Sequence, residues 1–404
     1  MSKADYAWQR LKKNTLALLG LGIICLFLFV SVFGYLIAPD GSPDANNQKL
    51  ELAMKPPGFK VKEIHIRKNE PLHNPGFFSK LIYGQENDYK EVPFRQFQFK
   101  ENALIYEEYT GKENIPGCKI KYNLADIVYA IDYSKPFTDN VQEGYIQFYD
   151  IDSGQQLKRN RADLQNEIVN KQIKEHHYFL GTDRAGRDML SRLIIGTRIS
   201  FTIGFISVIL SIFIGVLLGA LSGYYRGWAD NLIMWIINVV WSIPTLLLVI
   251  ALTFVLGKGF WQVFIAVGFT MWVEVARVIR GQIISLREKE YVEAGRALGF
   301  SSLRIIARHL LPNITGTIIV LSAANFANAI LIEAGLSFLG IGAQPPTVSW
   351  GSMINDHKGY IIANAAYLAF LPGLAIMLMV LAFVLLGNGL RDVFDTKTMD
   401  EVSI

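Results

Sequence analysis

The sequence predicts an all-α polytopic membrane protein with six transmembrane helices and an α+β extracytoplasmic insert between the first and second helices. Three observations predict this fold class. Of the 404 residues, 51% are hydrophobic, and the mean hydropathy of +0.28 is too high for an ordinary soluble protein. Several uncharged runs reach about 20 residues, which is enough to cross a bilayer core of about 30 Å. Charged residues concentrate in residues 38–178, which hold 19 basic and 21 acidic side chains.

The first apolar run, Thr15–Ile37, contains no charged residue and is predicted to be an uncleaved membrane span. It is longer than the apolar core of a secretory signal peptide, and its exit lacks the small-residue pattern of a cleavage site. Residues 1–14 carry a group of basic side chains, namely Lys3, Arg10, Lys12 and Lys13. Because basic residues favour the cytoplasmic side, the N-terminus is predicted to be cytoplasmic.

Five further spans are predicted within residues 199–386. They are Ile199–Ser222, Leu232–Leu256, Phe260–Ala276, Ile314–Leu336 and Leu368–Leu386. An even number of spans returns the C-terminal residues 387–404 to the cytoplasm. The loop 277–312 falls on the same side and carries seven basic residues, which agrees with this orientation.

Residues 179–198 are predicted to form an interfacial segment on the outer side of the membrane. Four arginines lie there, namely Arg184, Arg187, Arg192 and Arg198. A long translocated segment largely escapes the rule that places basic residues inside. We expect these arginines to lie on an interfacial helix and to extend their charged ends towards lipid headgroups.

Two local patterns in the spans have structural interpretations. Gly215, Gly219 and Gly223 repeat every four residues, so they share one helix face and predict close packing against another helix. Pro244 is predicted to kink the third span, because proline lacks the backbone N–H that a helix needs. Such a kink serves either a gate or packing, and the sequence favours neither.

The insert 38–178 is predicted to be a small α+β domain outside the cytoplasm. Its β-favouring stretches are Lys62–Ile66, Val92–Phe99 and Tyr145–Ile151, and its last part, Asp163–Glu175, has a helix-like pattern. The adjacent His176 and His177 are interpreted as an ordinary surface pair. None of the six histidines has the spacing of a metal site, so no metal is expected.

The cytoplasmic loop is predicted to form two short amphipathic helices joined by a glycine corner. The first covers about Leu286–Leu298 and ends at Gly299, which can adopt the left-handed conformation that terminates helices. Ser301 can cap the second helix, which ends near Leu310 before Pro312. A rigid structure of this kind can dock a partner or simply anchor at the membrane surface, and the residues alone leave both open.

This stretch resembles the cytoplasmic loop motif of ABC importer permeases. The family pattern is Glu-Ala-Ala, three residues, Gly, nine residues and Ile-x-Leu-Pro, and Glu293-Ala294, Gly299 and Leu311-Pro312 occupy matching positions. The chain departs at Gly295, where the family has Ala, and at His309, where it has Ile. The form from Arg308 to Asn313 is similar to that of the dipeptide/oligopeptide/nickel branch.

Two further segments are similar to the second-type permease of that branch. One is Gly181–Asp188, before the second span, and the other is Glu333–Gly340 with Pro345-Pro346 and Ser349–Gly351, after the fifth. The likeness covers Thr15–Ala38 and the chain from about His176 onwards. It leaves the long insert unexplained.

The resemblance implies a type I ABC importer permease fold whose loop docks on a cytoplasmic ATPase. It implies an ATPase-docking site formed by Glu293, Ala294, Arg296, Gly299 and Ser301. It also implies a second homologous permease, two ABC ATPase subunits and an extracytoplasmic substrate-binding protein as partners. No Walker-type phosphate-binding motif occurs in the chain, so we expect no bound cofactor here and expect ATP and Mg²⁺ in the partner ATPase.

Polar residues within the spans are candidates for function because they are costly in a membrane. Asn325, Asn328 and Glu333 are assigned to the translocation path, although the asparagines could equally bond a neighbouring helix and Glu333 could brace the loop after it. Glu274, near the inner end of the fourth span, is a further candidate, with an ion pair to Arg277 as the alternative.

Outside the membrane, a group of charged residues is predicted to brace the mouth of the channel by ion pairs rather than to bind substrate. The group consists of Asp183, Arg184, Arg187 and Asp188.

The leading hypothesis is a non-enzymatic permease subunit of a peptide-class ABC importer in the plasma (inner) membrane. An ion-coupled secondary transporter would need several buried acids or discontinuous helices near the bilayer midplane, and the sequence indicates neither. A membrane-anchored ligand sensor would not need six spans and a docking loop. Nucleic-acid binding is not expected, since the net charge of +4 forms no basic stripe.

Overall fold

The computed structural model describes residues 8–72, 74–112, 114–257, 259–362 and 365–394. The chain divides into two compact units. One consists of Met1–Val32 with Gly196–Ile404, and the other is Phe33–Ile195.

The unit Phe33–Ile195 has a mixed α+β fold built around a five-stranded antiparallel sheet with strand order β4-β3-β2-β1-β8. A separate three-stranded antiparallel sheet has the order β5-β6-β7. The strands are β1 (Phe59–Arg67), β2 (Tyr89–Lys100), β3 (Ala103–Glu108), β4 (Lys119–Asn123), β5 (Thr138–Asn140), β6 (Tyr145–Tyr149), β7 (Gln156–Asn160) and β8 (Ile173–Tyr178).

Helix α1 (Thr15–Ile37) has the bounds of the first predicted span. Three short helices accompany the sheets, namely α2 (Phe77–Tyr83), α3 (Leu124–Val128) and α4 (Arg161–Glu167). Apolar residues of the strands and of helices α3 and α4 share one core, with Ile64, Leu104, Ile127 and Phe148 fully buried.

The predicted β stretches Lys62–Ile66 and Val92–Phe99 lie within β1 and β2, and Tyr145–Ile151 covers β6 but runs two residues past its end at Tyr149. The helix predicted over Asp163–Glu175 is wrong in its second half. Helix α4 ends at Glu167, a π-helical turn covers Ile168–Gln172, and the chain then enters strand β8. His176 and His177 therefore lie on a strand that pairs with β1. Strand pairing with a segment more than a hundred residues away decides this, and no local pattern contains that information.

A buried charged cluster lies beside β1. The ammonium of Lys49, only 5% exposed, lies 2.7 Å from a carboxylate oxygen of the fully buried Glu63 and 2.6 Å from one of Glu91. The hydroxyl of Tyr178 donates to Glu63 over 3.0 Å. Burial acts to lower the pKa of Lys49, but the two carboxylates outweigh it and hold that pKa above its ordinary value.

The remaining helices belong to the second half of the chain. They are α5 (Met189–Tyr225), α6 (Gly227–Trp241), α7 (Thr245–Leu256), α8 (Phe260–Arg287), α9 (Glu290–Ala297), α10 (Ser302–Ile305), α11 (Thr315–Phe338), α12 (Trp350–His357) and α13 (Tyr367–Phe394). Among the described residues, five helices are long and apolar enough to cross a membrane, and the bent pair α6–α7 would make six if it forms one span.

The third predicted span, Leu232–Leu256, is broken rather than kinked. Helices α6 and α7 meet at an angle of 92° around Ser242–Pro244. Pro244 has no backbone N–H to donate and disfavours the helical conformation of the residue before it, so a new helix starts after it. The expectation that the chain has no discontinuous helix was therefore wrong.

Two other helices extend beyond their predicted spans. Helix α5 begins at Met189 rather than Ile199, so Arg192 and Arg198 lie on the N-terminal part of α5, whereas Arg184 and Arg187 precede it. Asp188 explains the early start, because it accepts the backbone N–H of Ser191 over 2.8 Å and so caps the first turn. Helix α8 continues past Ala276 to Arg287.

The glycine stripe on α5 packs against α8, which confirms its predicted role. A Cβ atom added to Gly215 would lie 2.5 Å from the Cβ of Val275, and one on Gly219 would lie 2.5 Å from the carbonyl oxygen of Ala276. At Gly223 the nearest atom, the carbonyl oxygen of Arg280, would be 2.8 Å away. The two backbones can approach this closely because these positions have no side chains.

Candidate docking surface and intramembrane cavity

The corner of the cytoplasmic loop is a Schellman motif at the end of α9. Gly299 has the left-handed φ of +79°, as predicted. Its N–H donates to the carbonyl of Arg296 over 2.9 Å, and the N–H of Phe300 donates to the carbonyl of Gly295 over 3.0 Å. These bonds satisfy carbonyl groups that the end of the helix would otherwise leave without partners.

The segment after the corner is only partly as predicted. Ser301 occupies the N-cap position of α10, but its side chain makes no capping hydrogen bond. Helix α10 has a single turn and continues as a π-helical turn over Ile306–Leu310. The first docking helix is also shorter than predicted, because α8 extends to Arg287 and α9 begins only at Glu290.

One face of this loop is packed firmly on the long helices. Val292 of α9 and Ile305 of α10 are each 1% exposed, and they share a core with Tyr224 of α5 and with Ile279 and Ile283 of α8. The loop is therefore a rigid extension of α5 and α8.

The opposite face is exposed and carries the predicted docking residues. Glu293, Ala294, Arg296, Gly299 and Ser301 are all exposed. The guanidinium carbon of Arg296 also lies 5.3 Å from the centre of the Tyr224 ring, so this residue contributes to packing as well.

Two leucines on the exposed face were missed by sequence reasoning. Leu298 and Leu303, which flank the glycine corner, are each 73% exposed. Apolar residues beside an exposed corner, off the buried face of both helices, are typical of a contact surface. The sequence could have indicated them, because Leu298 and Leu303 do not share a helix face with the apolar positions Val292 and Ile305.

The charged group before α5 forms a buried brace centred on Asp183. Its carboxylate accepts a hydrogen bond from Nε of Arg187 over 2.7 Å and lies 3.4 Å from Nε of Arg192. Asp188 acts as the helix cap described above, and burial raises the pKa of its carboxyl. Arg184 is exposed. The structure thus joins Arg192, which the sequence analysis assigned to an interfacial helix, to the predicted brace.

Glu333 lies in α11 and is fully buried. The hydroxyl of Ser337 donates to it over 2.7 Å, and that hydroxyl lies 3.4 Å from the hydroxyl of Ser349, which caps helix α12. These contacts correspond to the alternative in which Glu333 braces the loop that follows it.

A separate cavity of about 280 Å³ lies between α8 and α11, with Trp241 of α6 and Thr245 of α7 completing its wall. Glu274 of α8 and Asn325 and Asn328 of α11 line it. Glu274 lies in the middle of α8, not near its end, because the helix continues beyond the predicted span. The alternative partner of Glu274 is engaged elsewhere, since the guanidinium of Arg277 lies 3.8 Å above the ring of Trp241.

These features define a multi-pass helical membrane protein with a rigid surface at one helix end and a polar cavity among its helices. Two family models match the chain. Residues 215–400 match the binding-protein-dependent transport system inner membrane component, and residues 2–57 match the N-terminal TM domain of oligopeptide transport permease C.

Curated relatives agree. The glutathione transport system permease protein GsiD of Pectobacterium atrosepticum is 43% identical over 220 residues, which cover 54% of this chain and 73% of that protein. The protein of the same name from Escherichia coli O6:K15:H31 is 44% identical over 221 residues, or 55% of this chain and 72% of that protein. The chain therefore belongs to the family of binding-protein-dependent transport system inner membrane components, and it is a transport permease of the inner membrane.

Among solved structures, the chain is similar to an inward-facing form of the MetNI methionine ABC transporter. That likeness has a TM-score of 0.41 and 22% sequence identity, and it covers 50% of this chain and 95% of the solved one.

Proposed function

We propose that this chain forms one half of the translocation pathway of an ATP-driven importer for peptides. It pairs with a second, homologous permease and is served by two ABC ATPase subunits and an extracytoplasmic binding protein. Nucleotide and Mg²⁺ are bound by the ATPase subunits. Glutathione, the compound in the names of its relatives, is itself a short peptide, which supports this class of cargo.

The observation that carries the proposal is the two-sided construction of the cytoplasmic loop. One face shares a core with α5 and α8, while the other exposes Glu293, Leu298 and Leu303. A partner held on the exposed face can move both long helices without first deforming the loop. A loop that only anchored at the membrane surface would need exposed apolar side chains such as Leu298 and Leu303, but no exposed acid such as Glu293.

In this proposal the bent pair α6–α7 counts as one of six spans. Both chain ends and the docking loop lie in the cytoplasm, and residues 38–178 lie outside it. The basic residues before α1 and within 277–312 support this orientation. We assign Asn325 and Asn328 to the pathway because they line the cavity, and we assign Glu333 to the support of the adjoining loop.

The test is the affinity of the permease pair for purified ATPase subunits. Burying a leucine side chain contributes about 1.5–3 kcal/mol, so replacing Leu298 or Leu303 with alanine is expected to weaken binding about tenfold each. Leu50→Ala is the matched control, because Leu50 is 71% exposed but lies in the insert. Unchanged ATPase affinity in the double variant would contradict docking at this surface.

A second variant tests the acidic contact. Glu293→Arg reverses an exposed charge without touching the buried face, so the protein should still insert and pair with its partner permease. We expect ATP-dependent uptake to be lost. Normal uptake in this variant would exclude a docking role for Glu293.

A further inference from the structure

Glu274 occupies an unusual position for a carboxylate. It is exposed on the surface of α8, at the middle of a helix that is long and apolar enough to cross a membrane. Within the described part of the chain its carboxylate forms no ion pair. Arg277, one turn further on, stacks on Trp241 and donates to the side chain of Asn238 over 3.3 Å. A carboxylate in the middle of a membrane-spanning helix is expected to face a polar space or an opposite charge, because exposing it to lipid is costly.

The polar space is the cavity between α8 and α11. Among the described residues that line it, Glu274 is the only ionisable one. The side-chain amides of Asn325 and Asn328 line the same cavity, and Asn325 is held in place by a bond from its Nδ2 to the hydroxyl of Ser211 over 3.4 Å. Apolar side chains, including Met271 and Leu331, form much of the remaining wall.

The chemistry of this wall selects a particular group. Carboxylate and amide oxygens accept hydrogen bonds, and a single negative charge among otherwise uncharged side chains attracts one positive charge. A primary ammonium offers three donors and one positive charge, which matches one carboxylate and two amides. A peptide cargo carries such a group at its amino end.

We propose that Glu274, with Asn325 and Asn328, binds the primary ammonium group of the cargo within the membrane. This inference rests on the proposed function. It makes Glu274 the residue that favours cargo with a free amino group over cargo in which that group is blocked. An arginine or lysine of the second permease is the competing partner for this carboxylate.

The experiment measures equilibrium binding of radiolabelled trialanine and N-acetyl-trialanine to the purified importer in nanodiscs, without its binding protein. Glu274→Gln keeps the shape of the side chain and removes its charge. We expect it to weaken binding of trialanine about tenfold and to leave binding of N-acetyl-trialanine unchanged. Glu143→Gln, an exposed change in the insert, is the control and should alter neither.

Three results would overturn the proposal: equal weakening of both peptides, no weakening of either, or dissociation of the permease pair in Glu274→Gln. The last would indicate that Glu274 pairs with the second permease. ATP-driven uptake by the wild-type complex is measured in parallel. Absence of wild-type uptake would refute the importer function itself, whereas normal uptake with equal effects on both peptides would refute only the role of Glu274.

Discussion

Replacing Gly219 with alanine should separate α5 from α8, and the structure gives the size of the effect. The added Cβ would lie 2.5 Å from the carbonyl oxygen of Ala276 and 3.0 Å from the Cβ of Ile279. The first of these is a backbone atom, so the contact can be relieved only by moving a helix. Overpacking of this kind costs about 1–3 kcal/mol. Alanine regains about 1 kcal/mol through its better helix propensity, so the net loss is about 0–2 kcal/mol.

A matched control isolates the steric part. Gly281 lies on α8, and a Cβ there meets no atom within 4 Å. Gly281→Ala gains the same propensity without the clash, so the two variants should differ by about 1–3 kcal/mol. The assay is unfolding of the purified protein in mixed micelles by titration with sodium dodecyl sulfate. Equal stability of the two variants would refute close backbone packing at the glycine stripe.

Three further predictions follow from local contacts. Gly295→Ala should stabilise the docking loop by up to about 1 kcal/mol through the better helix propensity of alanine, since the new Cβ would lie at an ordinary 3.4 Å from the nearest side-chain atom. Hydrogen exchange of the backbone amides of α9 measures this, and faster exchange in the variant would contradict it. Lys49→Ala should destabilise the insert by about 3–5 kcal/mol, because Glu63 would remain buried without a cation. The control is Lys60→Ala on the exposed side of β1, which should have little effect. Thermal unfolding of the full-length protein distinguishes the two variants. Burial acts to raise the pKa of Glu91, but Lys49 outweighs it and holds that pKa below its ordinary 4.5. Below pH 4.5 the unfolded chain therefore binds more protons at Glu91 than the folded chain does, and the stability from the Lys49–Glu91 pair should be lost as the pH falls through the lowered pKa. A melting temperature that is independent of pH in this range would contradict this prediction.

Local chemistry made part of the fold predictable. The bounds of α1 follow from an uncharged run that starts after Asn14 and ends before Pro39 and Asp40. The left-handed corner at Gly299 and the packing face of Gly219 follow from what a residue without a side chain permits. Each of these features could be read from a pattern within one continuous segment of the sequence.

The errors have a common physical cause, which is contact between distant segments. Residues 173–175 have a helical pattern but pair with β1, and Arg192 has the character of an interfacial residue but lies 3% exposed beside Asp183. The position of the break at Pro244 was predicted from the sequence, but the size of the bend was underestimated. A proline specifies a lost hydrogen bond, whereas the surrounding packing sets the angle between the two helices.

The two proposed sites lie on one continuous helix, and this has a mechanical consequence. Helix α8 carries Glu274 at its middle and continues to Arg287, about 20 Å further along at 1.5 Å per residue. Its last turns share a buried core with the docking helices through Ile279 and Ile283. A helix without an internal break transmits displacement along its length, whereas the α6–α7 pair is interrupted at Pro244. An ATPase that moves the docking surface would therefore shift Glu274 through α8 directly, and a proline placed in α8 between the two sites should uncouple ATP hydrolysis from peptide release. Uptake that stays proportional to hydrolysis in an Ile279→Pro variant that still folds and binds the ATPase would contradict this route.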